Sequence, residues 1–138
     1  MALTILDAGV VIAVLDGSAV HHDAATVAIA AAIGRGDDLV LPASACAEVL
    51  VAPHRRGPGA VATVDAFLDA LPAAIAPATR AIATQAAELR ALHGKTLRLP
   101  DALVIATALA LGAERVITSD GRWPSLPVRV EVVGSPAG

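Results

Sequence analysis

Short apolar runs alternate along the chain with longer, Ala-rich segments. Short runs of Val, Ile and Leu are typical of buried strands, whereas longer Ala-rich runs favour helices. We predict strands at Leu3–Leu6, Leu39–Leu41, Ala73–Ala76, Val116–Ser119 and Val128–Val133. We predict helices at Gly9–Leu15, His21–Ile33, Ser44–Ala52, Gly59–Leu71, Thr79–Leu92 and Ala102–Leu111. The order β-α-α-β-α-α-β-α-α-β-β predicts an α/β sandwich in which helices cover both faces of a short-stranded, mainly parallel sheet.

The stretch from Leu99 to Asp120 carries a carboxylate near each end and is otherwise almost entirely apolar. The proline before Asp101 suits the first turn of a helix, and the Asp101 carboxylate suits the positive end of the helix dipole. A helix over 101–111 and a strand over 115–119 each span about 16 Å, at ~1.5 and ~3.3 Å per residue. Because a glycine reverses the chain between them, the strand should return to the helix start and bring Asp120 beside Asp101.

Two further carboxylates occupy comparable positions. Asp7 follows the first predicted strand, and Glu48 lies about one turn into the helix after the second. The carboxyl ends of parallel strands share one edge of a sheet, so we expect Asp7, Glu48, Asp101 and Asp120 to meet there. Crowded carboxylates raise one another's pKa values unless a cation intervenes, and oxygen ligands suit Mg²⁺ or Mn²⁺. Such an ion can activate water and neutralise charge at a phosphodiester.

Each carboxylate also has a purely structural interpretation. Asp7 and Asp101 are suitable helix-start residues, since Asp is a good N-cap and favours the first helical turn. Glu48 can be an ordinary exposed helix residue, and Asp120 can be the turn residue before Gly121. The pattern alone therefore leaves both interpretations open at each position.

Composition narrows the classes of protein that fit this pattern. With 138 residues, 56% of them hydrophobic, the chain has the size and the core material of one domain. No apolar stretch reaches the ~20 residues of a membrane helix, and Asp7 interrupts the apolar start, so we expect neither a membrane span nor a secretory signal. The single Cys46 favours a reducing cytoplasm. A net charge of −3 excludes a global attraction to nucleic acid.

Three segments together resemble the PIN-domain family, most closely the VapC-type toxins of type II toxin–antitoxin pairs. They are ILDAGVVIAVLD around Asp7, LPASACAEVL around Glu48 and LPDALVIATALALGAERVITSD from Leu99 to Asp120. The resemblance spans residues 1–133, which we treat as a single PIN-like domain, with 134–138 expected to be a frayed tail. Each segment is loose on its own, and the ordered set is more specific.

The resemblance implies a metal-dependent endoribonuclease with a catalytic pocket of Asp7, Glu48, Asp101 and Asp120. Of these, we expect Asp7, Asp101 and Asp120 to bind Mg²⁺ or Mn²⁺. We expect the hydroxyls of Thr118, which matches a hydroxyl frequent in the family, and of Ser44, four residues before Glu48, to support the carboxylates. The family also implies a homodimer and a cognate VapB-type antitoxin over the pocket. Candidates for RNA backbone contact are Arg55, Arg56, Lys95, Arg98 and Arg122, with Arg55 and Arg56 in a predicted turn over 53–58.

The chain departs from the family pattern at one point, and three alternatives to a PIN nuclease have to be weighed. Family members often carry Ser, Thr or Asn after the first Asp, whereas this chain has Ala8 and Gly9, so a supporting hydrogen bond is expected to be missing. A phosphatase of the HAD type would need a second Asp at position 9. A receiver domain would need an acidic pair near the N-terminus and a Lys after a late strand, and neither is present. The remaining alternative is a PIN fold that binds RNA or a partner without cleaving.

Overall fold

The computed structural model describes residues 2–134. Five strands run at Leu3–Leu6 (β1), Asp38–Pro42 (β2), Ala73–Ala76 (β3), Arg115–Thr118 (β4) and Arg129–Val132 (β5). Six helices run at Ala8–Leu15 (α1), His22–Gly34 (α2), Ala43–Arg56 (α3), Pro58–Ala70 (α4), Arg80–His93 (α5) and Leu99–Leu111 (α6). A 3₁₀ turn at Gly94–Thr96 joins α5 to α6. The predicted order of elements is confirmed.

The five strands form one sheet in the order β3-β2-β1-β4-β5, and all neighbouring pairs are parallel. From β1 the chain builds the sheet outward through β2 and β3, and then crosses back to add β4 and β5 on the other side of β1. The direction of winding therefore switches between β1 and β4. In open parallel sheets, ligands bind outside the carboxyl ends of the strands at such a switch point.

The centre of the sheet and the helices on it form the core. Ile5, Leu6, Leu41 and Ile117 have no exposed surface, and neither does Ile105 in α6. These β-branched and Leu side chains fill the interior that the chain, with only two aromatic residues, cannot fill with rings. The packing fixes the positions of the strand ends, and hence the positions of the side chains that follow them.

Helix α6 and strand β4 have the predicted hairpin geometry. Gly112 ends α6 in the left-handed conformation, with φ of 64°, which glycine adopts without a steric penalty. The backbone N–H of Glu114 then donates to the carbonyl of Leu3, so β4 starts beside β1. As a result, the chain after β4 returns to the level at which α6 begins.

The predicted turn over 53–58 is wrong in its first part. Helix α3 continues through Pro53 to Arg56 and ends at Gly57, where φ is 123°. Pro53 is buried, so the packing of its ring offsets the backbone hydrogen bond that a proline cannot make. The basic residues of the last turn also interact favourably with the negative end of the helix dipole. Arg55 and Arg56 therefore lie on a helix end.

Two expectations concerned a membrane span, which the sequence did not predict, and a frayed tail over 134–138. Within residues 2–134, no helix combines the length and the apolar character needed to cross a membrane. Gly134 lies in a turn with φ of 74°. The rest of the expected tail, 135–138, lies outside the described residues.

Candidate active site

Asp7 stands between β1 and α1 at the switch point of the sheet. Its backbone N–H donates to the carbonyl of Ile117 in β4 (3.0 Å), and its carboxylate caps α1 by accepting from the N–H of Ala8 (2.9 Å). The residue is only 8% exposed, and no cation lies within salt-bridge distance among the described residues. Burial is the main reason why its pKa is raised to about 6, with smaller contributions from the charges of Asp101 and Glu48.

The hydroxyl of Thr118 connects the first and the last carboxylate. Thr118 is fully buried, and its Oγ1 donates to Oδ2 of Asp7 at 2.7 Å. The same oxygen accepts from the backbone N–H of Asp120 at 3.1 Å. One side chain at the end of β4 therefore orients the Asp7 carboxylate and also fixes the backbone from which Asp120 projects.

Asp101 and Glu48 complete the acidic cluster from two helices. Asp101 lies in the first turn of α6 and is 9% exposed, whereas Glu48 in α3 is exposed. The pKa of Asp101 is raised, mainly by burial and also by the charge of Asp120, although Arg98 opposes the shift. The pKa of Glu48 is raised by partial desolvation and by the charge of Asp101. The two helices therefore bring their carboxylates close enough to interact.

Asp120 differs from the other three carboxylates, because its pKa is lowered. Partial burial does raise the pKa of this carboxyl group, but hydrogen bonds from Arg122 outweigh it, and the net shift is downward. The backbone N–H of Arg122 donates to Oδ1 of Asp120 at 2.9 Å, and Nε of Arg122 donates to the same oxygen at 3.2 Å. Arg122, two residues further along the chain, is therefore the positive charge that offsets the crowding at this carboxylate.

The donor set suits a hard divalent cation, since all four groups offer carboxylate oxygens. The buried Asp7 also carries a charge that no described cation neutralises. However, no three acidic, His or Cys side chains in residues 2–134 are arranged so that they could hold a metal ion as they stand. Two of the carboxylates are turned to arginines instead: Asp120 to Arg122, and Asp101 to Nε of Arg98 at 3.7 Å. The residues fit the cation in chemistry, and those two carboxylates would have to leave their arginines.

A cleft of about 350 Å³ adjoins the acidic cluster. It is lined by Asp101 and Asp120 together with Lys95, Thr96, Arg98 and Arg122. Three of the five basic residues suggested for RNA contact therefore lie beside the acidic residues.

The other two basic candidates lie elsewhere. Arg56 is eight residues beyond Glu48 on α3, which is about 12 Å at ~1.5 Å per residue. It lines a different cavity, in which Asp16 at the end of α1 is a neighbour. Arg55 does not line the acidic cleft either. Ser44 lies in the first turn of α3, and its hydroxyl makes no hydrogen bond to Glu48.

Two features of the site did not follow from the sequence reasoning. The indole N–H of Trp123 is buried without a full hydrogen bond to any described residue, and its proximity lowers the pKa of Asp101. A Cβ added at Gly9 would lie 2.5 Å from Oγ of Ser119, so glycine at this position lets β4 end close to α1. For Trp123, the sequence offered two signals: it is the single tryptophan of the chain, and it lies three residues after Asp120.

The fold and the site define an α/β domain with an acidic cluster at the switch point of a parallel sheet, where ligands bind in such folds. Within that class, the profile of the PIN domain matches residues 4–128, and the chain belongs to the PIN domain family. A comparison with curated proteins found no match.

Solved structures of toxin–antitoxin proteins have a similar fold. VapBC2 from Rickettsia felis, solved with a promoter DNA fragment, aligns with a TM-score of 0.75 and 17% identity over 95% of this chain and 98% of that one. A toxin–antitoxin complex from Klebsiella pneumoniae has a TM-score of 0.71 and 21% identity over 90% and 92%. VapC20 from Mycobacterium tuberculosis, described as a sarcin-ricin-loop-cleaving toxin, has a TM-score of 0.66 and 16% identity over 82% and 86%. At these identities, the likeness concerns the fold.

Proposed function

We propose that this protein is a divalent-cation-dependent endoribonuclease and acts as the toxin of a toxin–antitoxin pair. One observation carries the proposal: a buried, unneutralised Asp7 lies at the switch point beside three more carboxylates and is tied to one of them through Thr118. Burying an unpaired carboxylate is costly, so its presence is better explained by a bound cation than by fold stability. The toxin part of the proposal is supported by the likeness to solved toxin–antitoxin proteins.

The residues have distinct parts in this proposal. Asp7, Asp101 and Asp120 would hold Mg²⁺ or Mn²⁺, which when bound supplies an activated water and neutralises charge at the phosphodiester. Glu48 is exposed and has a raised pKa, so it is suited to accept a proton from an attacking water. Thr118 holds the Asp7 carboxylate in position. Lys95, Arg98 and Arg122 would contact the RNA backbone from the adjoining cleft.

Cleavage of RNA in the presence and absence of cation tests the proposal. Purified protein should cut RNA with Mn²⁺ or Mg²⁺, stop when EDTA is added, and recover when Mn²⁺ is restored in excess. Asp101→Asn should be inactive under all three conditions, and Asp65→Asn, at an exposed position of α4, serves as the control. Cleavage that persists after thorough chelation would rule out the metal mechanism. If cleavage does require the cation, sequencing of RNA ends after induced expression identifies the target RNA.

A second function, an RNA-binding or interaction module without nuclease activity, has one observation in its favour. The carboxylates as they stand assemble no metal-binding group in residues 2–134, and arginines engage two of them. A module of this kind would gain little thermal stability from Mn²⁺, whereas a cation-binding pocket would gain stability as the Mn²⁺ concentration exceeds its Kd. A Mn²⁺ titration followed by thermal melts distinguishes the two.

The proposed partners are a second copy of the chain and an antitoxin. Large apolar side chains remain exposed on several elements, including Val27, Val51, Ile75 and Leu92. Exposed apolar surface of this kind is typical of proteins that associate. We propose that the antitoxin covers the acidic cluster, where it would block access of RNA to Asp101 and Asp120.

A further inference from the structure

Two arginines of the chain already occupy the positive positions beside the acidic cluster. Nε of Arg122 lies 3.2 Å from Oδ1 of Asp120, and Nε of Arg98 lies 3.7 Å from Oδ2 of Asp101. Asp120 and Asp101 are also two of the three residues proposed to bind the cation. The arginines and the cation therefore compete for the same oxygens.

The arginines are placed so that they can leave. Their side chains are 87% exposed for Arg122 and 72% exposed for Arg98, whereas the carboxylates they contact are 22% and 12% exposed. Ion pairs with an exposed partner contribute little to stability, because water competes for the charge and the long side chain loses entropy. A divalent cation can thus displace either guanidinium without a large loss of folding free energy.

The displaced groups have an adjoining place to go. The cleft of about 350 Å³ is lined by both arginines, by Lys95 and by the two carboxylates. With the carboxylates unoccupied, three positive charges face two negative ones. When a dication neutralises the carboxylates, the cleft presents unpaired positive charge. The planar guanidinium group matches the paired oxygens of a phosphate, which is the anion that this cleft would then attract.

We propose that Arg98 and Arg122 are exchangeable counter-ions, which pair with Asp101 and Asp120 in the metal-free protein and form a phosphate-binding subsite when a divalent cation takes these carboxylates. The inference rests on the proposed cation-dependent function and adds a coupling to it. Cation binding creates the phosphate subsite, and by linkage a bound phosphate favours cation binding by the same factor. The metal-free protein is therefore a poor binder of RNA at its own active site.

Calorimetric titration with Mn²⁺ tests the competition. Arg98→Ala and Arg122→Ala should each bind Mn²⁺ more tightly than wild type, by about two- to fivefold, since an exposed competing charge is removed. The control is Arg129→Ala, which removes an exposed arginine at the start of β5 on the opposite edge of the sheet and should leave the Kd unchanged. Unchanged or weaker binding in the first two variants would overturn the inference alone. Wild type that binds no Mn²⁺ would overturn the proposed function as well.

NMR of the arginine Nε–H groups tests the exchange itself, with Mg²⁺ as a diamagnetic cation and AMP as a phosphate probe that an endonuclease does not cut. Mg²⁺ should shift the Nε–H signals of Arg98 and Arg122, and AMP should shift them again, more strongly with Mg²⁺ than with EDTA. The signal of Arg129 should stay in place. Arginine signals that ignore Mg²⁺, or that respond to AMP equally in EDTA, would contradict the exchange.

Discussion

At the scale of single residues, the site depends most on Thr118. Its hydroxyl joins residues more than a hundred positions apart in the chain, by donating to Asp7 and accepting from the N–H of Asp120. The resemblance to the family predicted that the Thr118 hydroxyl supports the carboxylates, but not which of their atoms it contacts. That information depends on the register of β4 beside β1, in which Leu6 pairs with Ile117. Thr118 therefore shows how a tertiary contact gives a residue its role.

Replacement of Thr118 by Val removes the hydroxyl and keeps the shape of the side chain, so it tests the hydroxyl alone. Val leaves Oδ2 of Asp7 and the N–H of Asp120 without their partner, which should lower the free energy of unfolding by about 1–3 kcal/mol. It should also raise the pKa of Asp7 further, because the hydrogen bond from Thr118 now lowers it. Urea unfolding near neutral pH measures the first effect. Thr118→Ser is the control that keeps the hydroxyl, and a Val variant as stable as the Ser variant would contradict this role.

At the scale of elements, most of the fold could be predicted from the sequence, because the spacing of apolar residues and the length of each run indicate which segments form strands and which form helices. The similar lengths predicted for the helix and the strand, with Gly112 between them, suggested that Asp120 lies beside Asp101. The two residues do line one cleft, although α6 has 13 residues and β4 only 4. The end of α3 was misjudged because Pro53 normally disfavours a helix interior, and its burial could not be read locally. The pairing of Arg98 with Asp101 and of Arg122 with Asp120 was missed although each pair is local in the chain, because the sequence reasoning considered these arginines only as contacts for RNA.

The location of the basic residues on these elements predicts unequal contributions to RNA binding. Lys95 lies in the 3₁₀ turn beside the acidic cleft, whereas Arg55 and Arg56 lie at the far end of α3. Lys95→Ala should weaken RNA binding and reduce the slope of log K against log salt by about 0.7, the value for one phosphate contact on a single strand. Arg55→Ala/Arg56→Ala should change the slope less, although it removes two charges. A larger slope change in the double variant would place the RNA on the α3 side.

At the scale of the whole molecule, the burial of Asp7 makes stability depend on pH. The pKa of Asp7 is about 6 in the folded protein, against 3.8 in the unfolded chain. Between these values Asp7 keeps its proton in the folded state and loses it in the unfolded chain, so its contribution to stability is full below 3.8 and is lost as the pH rises through 6. Asp7 therefore favours the folded metal-free protein more at acidic than at neutral pH. A cation that neutralises the carboxylates would reverse this loss.

The variant Asp7→Asn should remove most of that pH dependence. Relative to wild type, its free energy of unfolding should rise between pH 4 and pH 7 by on the order of 3 kcal/mol, since one pKa unit corresponds to about 1.4 kcal/mol. Urea unfolding in EDTA across this range provides the measurement. Asp65→Asn, at an exposed position, should follow wild type. Parallel curves for Asp7→Asn and wild type would show that Asp7 has an ordinary pKa.

The surface of the molecule also predicts its association state. Mean hydropathy is +0.69, and apolar side chains such as Val27 and Leu92 are 68% and 78% exposed. A chain of this size with so much apolar surface should gain free energy by burying part of it against a second copy. We expect a homodimer at micromolar concentration in light scattering. A monomer across that range would contradict the prediction without affecting the assignment of the acidic site.

The central claim is that the carboxylates at the switch point bind a divalent cation, and anomalous diffraction from crystals containing Mn²⁺ tests it most directly. Mn²⁺ scatters anomalously, so its position can be located without reference to the protein density. We expect a peak within about 2.0–2.3 Å of oxygens from Asp7, Asp101 and Asp120, with Arg98 and Arg122 turned away from them. A peak elsewhere, or none at an Mn²⁺ concentration that supports RNA cleavage, would contradict the account.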